Sequence, residues 1–126
     1  DERRTIDSIM TRLRSIVEET GAGVILVSHL RRIDGNKGHE NGIEVNLSHL
    51  RGSQSIAQLS DCVLALERNQ QSDDHQESQT TKVRVLKSRY TGDVGLACNL
   101  LYDSETGRLK EISNEDLEVV DNKEGF

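Results

Sequence analysis

The sequence predicts an α/β fold: a mainly parallel sheet with helices, followed by a C-terminal β-hairpin. Three observations carry this. An amphipathic stretch over residues 2–19 leads directly into the unbroken apolar run Val24-Ile25-Leu26-Val27, and a helix feeding a strand apolar on both faces is half of an α/β crossover. A second such run, Cys62-Val63-Leu64-Ala65-Leu66, follows another short helical pattern. Finally, residues 96–102 and 108–112 are strand-like and flank Asp103-Ser104-Glu105-Thr106-Gly107, where Gly suits a turn with positive φ.

The first helix rests on Ile6, Ile9, Leu13, Ile16 and Val17, which recur at three- and four-residue spacing, with Gly21 and Gly23 ending it. Residues 31–48 hold three Gly, mixed charges and no period. A connection this long after a parallel strand is more often functional than accidental. Leu50 to Leu59 reads as a short helix, with Ser53 as its cap and Ile56 and Leu59 facing inward. Asn69 to Thr81 is rich in Gln, Ser and Asp and is expected to be mobile. Lys82 to Arg89 supplies a third strand, with Val83 and Val85 alternating against Lys82 and Arg84.

Composition bounds the function. With 126 residues, 33% of them hydrophobic, one Phe and no Trp, the chain suits one domain or a large fragment with a thin aliphatic core. Net charge is −6, yet residues 111–126 hold six acids against one base, which leaves residues 1–110 at −1. A local basic patch on the body therefore remains compatible with nucleic acid. The division expected is a folded part over 1–112 and an acidic, disordered arm over 113–126. Cys62 and Cys98 each lie in an apolar run; two buried thiols and no disulfide framework fit a reducing cytosol. No stretch has membrane-spanning length and no signal peptide opens the chain, so a soluble cytoplasmic protein without a membrane partner is expected. Zinc-ligand spacing and a Gly-rich phosphate loop are both missing from the sequence.

Four features can carry chemistry. Ser28-His29 closes the first apolar run; an imidazole there can sense a phosphate or simply bond a nearby backbone. Lys87 and Arg89 stand two apart near a strand end and so project to one face. Together they offer a point charge and a bidentate fork for phosphate oxygens, although solvated strand-end cations are common. Arg51-Gly52-Ser53 opens the short helix that contains Gln58, a setting for an anion or for an ordinary cap. Arg68 and Tyr102 have the chemistry to sandwich a purine, if they meet.

Taken in order, Asp1-Glu2-Arg3-Arg4, residues 24–30 (Val-Ile-Leu-Val-Ser-His-Leu), Leu-Arg-Gly-Ser at 50–53, Gln-Leu-Ser-Asp at 58–61, Leu-Glu-Arg-Asn-Gln at 66–70, Lys-Ser-Arg-Tyr-Thr-Gly-Asp at 87–93 and Tyr-Asp-Ser-Glu-Thr-Gly-Arg-Leu at 102–109 resemble the helicase domain of phage primase-helicases and of the mitochondrial helicase Twinkle. More distantly they resemble bacterial replicative helicases with a RecA-like core. The resemblance covers about residues 1–112. It implies the C-terminal portion of a RecA-like core, with the phosphate loop, catalytic Glu and Mg²⁺-holding Asp upstream of Asp1, and a fragment inactive by itself.

The same resemblance assigns roles. His29 becomes the γ-phosphate sensor, Arg89 the arginine finger inserted into a neighbouring subunit, and Lys87 its companion. Gln58 lies on the helix that couples the site to DNA, while Arg68 and Tyr102 grip the adenine. Arg31, Arg32 and Lys37 belong to a channel loop that tracks the DNA backbone. Segment 69–81 would be a second channel loop, although Asp73, Asp74 and Glu77 argue against phosphate contact there. The implied cofactors are ATP or another NTP and Mg²⁺. The implied partners are single-stranded DNA, further copies in a hexameric ring, and a replicative polymerase bound by the acidic arm ending in Phe126. Two other classes compete: a RecA- or KaiC-like ATPase of recombination or signalling, and a non-catalytic DNA- or protein-binding module.

Overall fold

A computed structural model of the chain describes residues 2–31, 38, 42–50 and 54–113. The first helix, α1 (Glu2–Thr20), buries Met10 and half-buries Ile6, Leu13, Ile16 and Val17, while Ile9 is exposed. Its end is defined by Gly21, which has φ 72° and donates its N–H to the Val17 carbonyl at 2.9 Å. A residue without Cβ enters that left-handed conformation without steric cost. Packed against α1 is the short helix α2 (Ser55–Leu59), which buries Ile56. It begins later than the expected Leu50, and its N-cap Gln54 makes no side-chain cap bond; the expected cap Ser53 lies outside the described residues.

The sheet differs from the expectation. Strands β1 (Cys62–Glu67), β2 (Thr80–Ser88), β3 (Gly95–Asp103) and β4 (Arg108–Ile112) pair in sequence order, and every pairing is antiparallel. No parallel pairing occurs among the described residues. Val24–Val27 forms no strand: Ile25 is 96% and Val27 87% exposed. A parallel strand requires a hydrogen-bonded neighbour and a layer over each face, and no described element covers this run. The antiparallel strands need only short connections, so they find their partners locally.

β1 also departs from the two-sided burial that its composition suggested. Its burial alternates, with Val63, Ala65 and Glu67 inside and Cys62, Leu64 and Leu66 outside. Leu66 is 67% exposed, and across the sheet Tyr102 and Leu109 pair on the same outward parity, both exposed. Cys62 is therefore an exposed thiol and Cys98 an intermediate one, not the expected buried pair. The hairpin of β3 and β4 forms as the turn residues predicted, with Gly107 at φ 73°.

Segment 69–79 holds a short helix that its polarity did not signal. Helix α3 (His75–Ser78) is capped by Asp74, whose side chain accepts from the Gln76 N–H at 3.0 Å. Glu77 accepts from Ser72 Oγ at 2.5 Å and Asn69 Nδ2 at 3.5 Å. Local side-chain bonds thus substitute for an apolar core. No helix among the described residues is long and apolar enough to cross a membrane.

Candidate functional site: a strand-end cation pair on a helix terminus

The register Cys62↔Ser88 and Val63↔Lys87 brings the end of β2 beside the start of β1 and the C-terminus of α2. Lys87 Nζ donates to the Ala57 carbonyl at 2.6 Å and the Gln58 carbonyl at 3.1 Å. Arg89 Nη2 donates to that same Gln58 carbonyl at 3.2 Å. The last carbonyls of a helix lack partners within it, so both cations fill a natural acceptor set. This brings the predicted pair together and adds Gln58 to it through its backbone.

Asp61 completes the cluster. Its carbonyl accepts the Arg89 N–H at 2.9 Å, and its Oδ1 accepts from Arg89 Nη1 at 2.6 Å. From α1, Arg14 Nη1 reaches both Asp61 oxygens at 3.0 Å, while Arg14 Nε bonds Glu18 at 3.1 Å. Hydrogen bonds from Arg14 to Asp61 and then to Glu18 hold its guanidinium above its usual pKa. Arg89 itself stays 40% exposed at the side chain, so the cluster presents a guanidinium to solvent while holding one side of it. Asp61 and Arg14 are functional candidates that no local sequence pattern singles out. The nearest signal is the place of Asp61 directly before an apolar strand.

The other candidates lie apart. His29 is exposed on the unpaired 21–29 stretch and makes no hydrogen bond or ion pair with Lys87 or Arg89 among the described residues. Arg31 is tied back, its Nε donating to the Ser48 carbonyl at 2.8 Å and its N–H to the His49 carbonyl at 2.8 Å. Those bonds and the Leu30–Leu50 bridge pinch the base of the long loop. Arg32 and Lys37 lie outside the described residues, as do Arg51, Gly52 and the arm beyond Ser113.

Arg68 and Tyr102 both anchor to the α3 end: Arg68 Nε donates to the Ser78 carbonyl at 2.5 Å, and the Tyr102 N–H to the Gln79 carbonyl at 3.0 Å. Their side chains line different depressions, Arg68 with Glu67, Asn69 and Lys82, Tyr102 with His75, Gln79 and Lys110. No group of three or more His, Cys, Asp or Glu side chains placed to hold a metal occurs among the described residues.

Fold and site together define an α/β chain that mounts a strand-end Lys/Arg pair on a helix terminus, with one fork partly free. Its sequence matches the family model of the DnaB-like helicase C-terminal domain over residues 1–111, and the chain belongs to that family. It is 43% identical over 113 residues, 90% of its length, to the DNA helicase/primase of Enterobacteria phage T3. The chain spans about one fifth of that relative, 19% of its length.

Proposed function

We propose that this chain is the C-terminal part of a ring-shaped, NTP-driven replicative DNA helicase that moves along single-stranded DNA and unwinds duplex. The observation that carries the reading is the pairing of Lys87 and Arg89 on one helix terminus, with Arg89 partly exposed. Arg89 is the guanidinium offered to the triphosphate of a neighbouring protomer, and Lys87 is its companion. Charge on the transferring phosphoryl oxygens is the main thing such a site must stabilise. A finger supplied from next door makes turnover depend on assembly, in keeping with a hexamer.

Two partly exposed cations suit the charge of ATP or another NTP. Mg²⁺, expected on an Asp upstream of Asp1, would neutralise phosphate charge when bound. His29 senses the γ-phosphate, Arg68 and Tyr102 grip the adenine, and the helix of Gln58 couples the site to DNA. Arg31, Arg32 and Lys37 track the DNA backbone by charge, with little sequence preference. In the parent, Val24–Val27 becomes a strand of a RecA-like parallel sheet, and its two apolar faces support that reading. Residues 1–112 form the folded part. The arm 113–126 docks on a replicative polymerase in the cytoplasm of a bacterial host, its negative charge and Phe126 suiting a basic groove.

The test is Arg89→Ala in the full-length ring. Nucleotide binding should persist while turnover is lost. Retained turnover, or lost binding, overturns the assignment.

A further inference from the structure

The register of β1 and β2 leaves Asp61 directly opposite Arg89, one residue beyond the Cys62–Ser88 pair. Arg89 is therefore held three times: through its N–H on the Asp61 carbonyl at 2.9 Å, through Nη1 on Asp61 Oδ1 at 2.6 Å, and through Nη2 on the Gln58 carbonyl at 3.2 Å. Among the described residues nothing accepts from its Nε. Asp61 in turn cannot swing freely, because Arg14 Nη1 lies 3.0 Å from each of its oxygens, and Arg14 is steadied by Glu18.

Ion pairs as exposed as Arg89–Asp61 contribute little to stability. Their geometric effect is larger, since two anchored nitrogens fix the plane and direction of a guanidinium whose side chain otherwise samples many rotamers. We propose that Asp61, oriented by Arg14 from α1, is a positioning residue for Arg89: it sets the direction in which the guanidinium is presented to the phosphate of a nucleotide on a neighbouring protomer. This rests on the proposed role of Arg89. It adds that α1 and the arginine are mechanically joined, so a shift of α1 relative to α2 re-aims the fork.

The experiment uses the full-length ring, with DNA-stimulated NTP turnover read as kcat and KM, and ring mass read alongside. Asp61→Asn should lower kcat roughly tenfold or more, the scale of a misdirected catalytic group, with KM and ring mass little changed. Asp61→Glu should recover part of the loss, and Arg14→Ala should show a smaller one. Read on the small residual turnover left by Arg89→Ala, Asp61→Asn should cost nothing further, because residues that act as a unit are non-additive. A purely structural Asp61 would give additive losses.

Parental kcat for Asp61→Asn beside a nearly inactive Arg89→Ala, or additive losses in the double variant, overturns this inference alone. Full turnover by Arg89→Ala sinks the reading of Arg89, and this inference with it. Should Asp61→Asn rings fail to assemble, Arg14→Ala carries the same cycle, and parental turnover or additivity there overturns the proposal equally.

Discussion

Glu67 and Arg84 form a two-point ion pair across the inner face of the sheet, with Oε2 2.7 Å from Nε and Oε1 3.2 Å from Nη2. Arg84 pairs in register with Ala65, so Glu67, two residues along β1, meets it diagonally. The Glu67 side chain is 3% exposed and also accepts the Val45 N–H at 2.8 Å. The carboxylate hydrogen-bonding Arg84 raises that guanidinium above its usual pKa, aided by Glu44 at 3.6 Å. Removing one partner strands a buried charge. Arg84→Ala should therefore destabilise the chain by about 3 kcal/mol or more in urea unfolding, whereas the double change Glu67→Leu with Arg84→Met should cost much less. Equal losses for the two would show that the pair is not desolvated as described.

The alternating burial of β1 predicts unequal tolerance of neighbouring apolar residues. Val63 is buried and Leu66 exposed. In this chain, Val63→Ala should cost about 2 kcal/mol, and Leu66→Ala should stay within roughly 0.5 kcal/mol. Chemical denaturation of both variants checks which side of the strand faces the core, and a reversed order would contradict the alternation.

Lys87 joins β2 to the end of α2 through two carbonyls. Lys87→Ala should lower stability by about 1 kcal/mol, the scale of a partly exposed charged hydrogen bond. Faster amide exchange should follow in residues 55–59, without change in β3 and β4. A uniform change across all strands would argue against this local tie.

Asp103 titrates low because its carboxylate accepts the Glu105 N–H at 3.0 Å, with further bonds from Thr106 and the Lys110 ammonium 3.8 Å away. Its folded pKa therefore lies below the unfolded value of about 3.9. The turn's contribution is fully present above that unfolded value and is lost as pH falls through the lower folded one. Carboxyl titration by NMR should give Asp103 a value below the ordinary aspartate range, and Asp103→Asn should remove this acid sensitivity of the hairpin. An ordinary titration would dissolve the argument.

The elements legible in the sequence were those whose signals are local. Helix α1 followed from its periodicity and Gly21, and the final hairpin from the turn ending at Gly107. Lys87 and Arg89 were picked out as neighbours on one face, which needs only the pitch of a strand. Strand direction was not legible, because the continuous apolar runs at 24–27 and 62–66 suit two-sided burial, which depends on layers from elsewhere. Arg14–Asp61 and Glu67–Arg84 join positions 47 and 17 residues apart, a register that no local pattern encodes. The short helix within the polar 69–81 stretch was not legible either, because it rests on side-chain caps and staples from Asp74, Ser72 and Glu77 and not on an apolar period.

Because the four strands lie side by side in the order in which they occur along the chain, each strand needs only its predecessor as a template. The links are the 68–79, 89–94 and 104–107 segments, so little loop entropy stands between one pairing and the next. The sheet can zip together progressively as the polypeptide leaves the ribosome. The Val24–Val27 stretch, made earlier, has no such next-door template among the described residues.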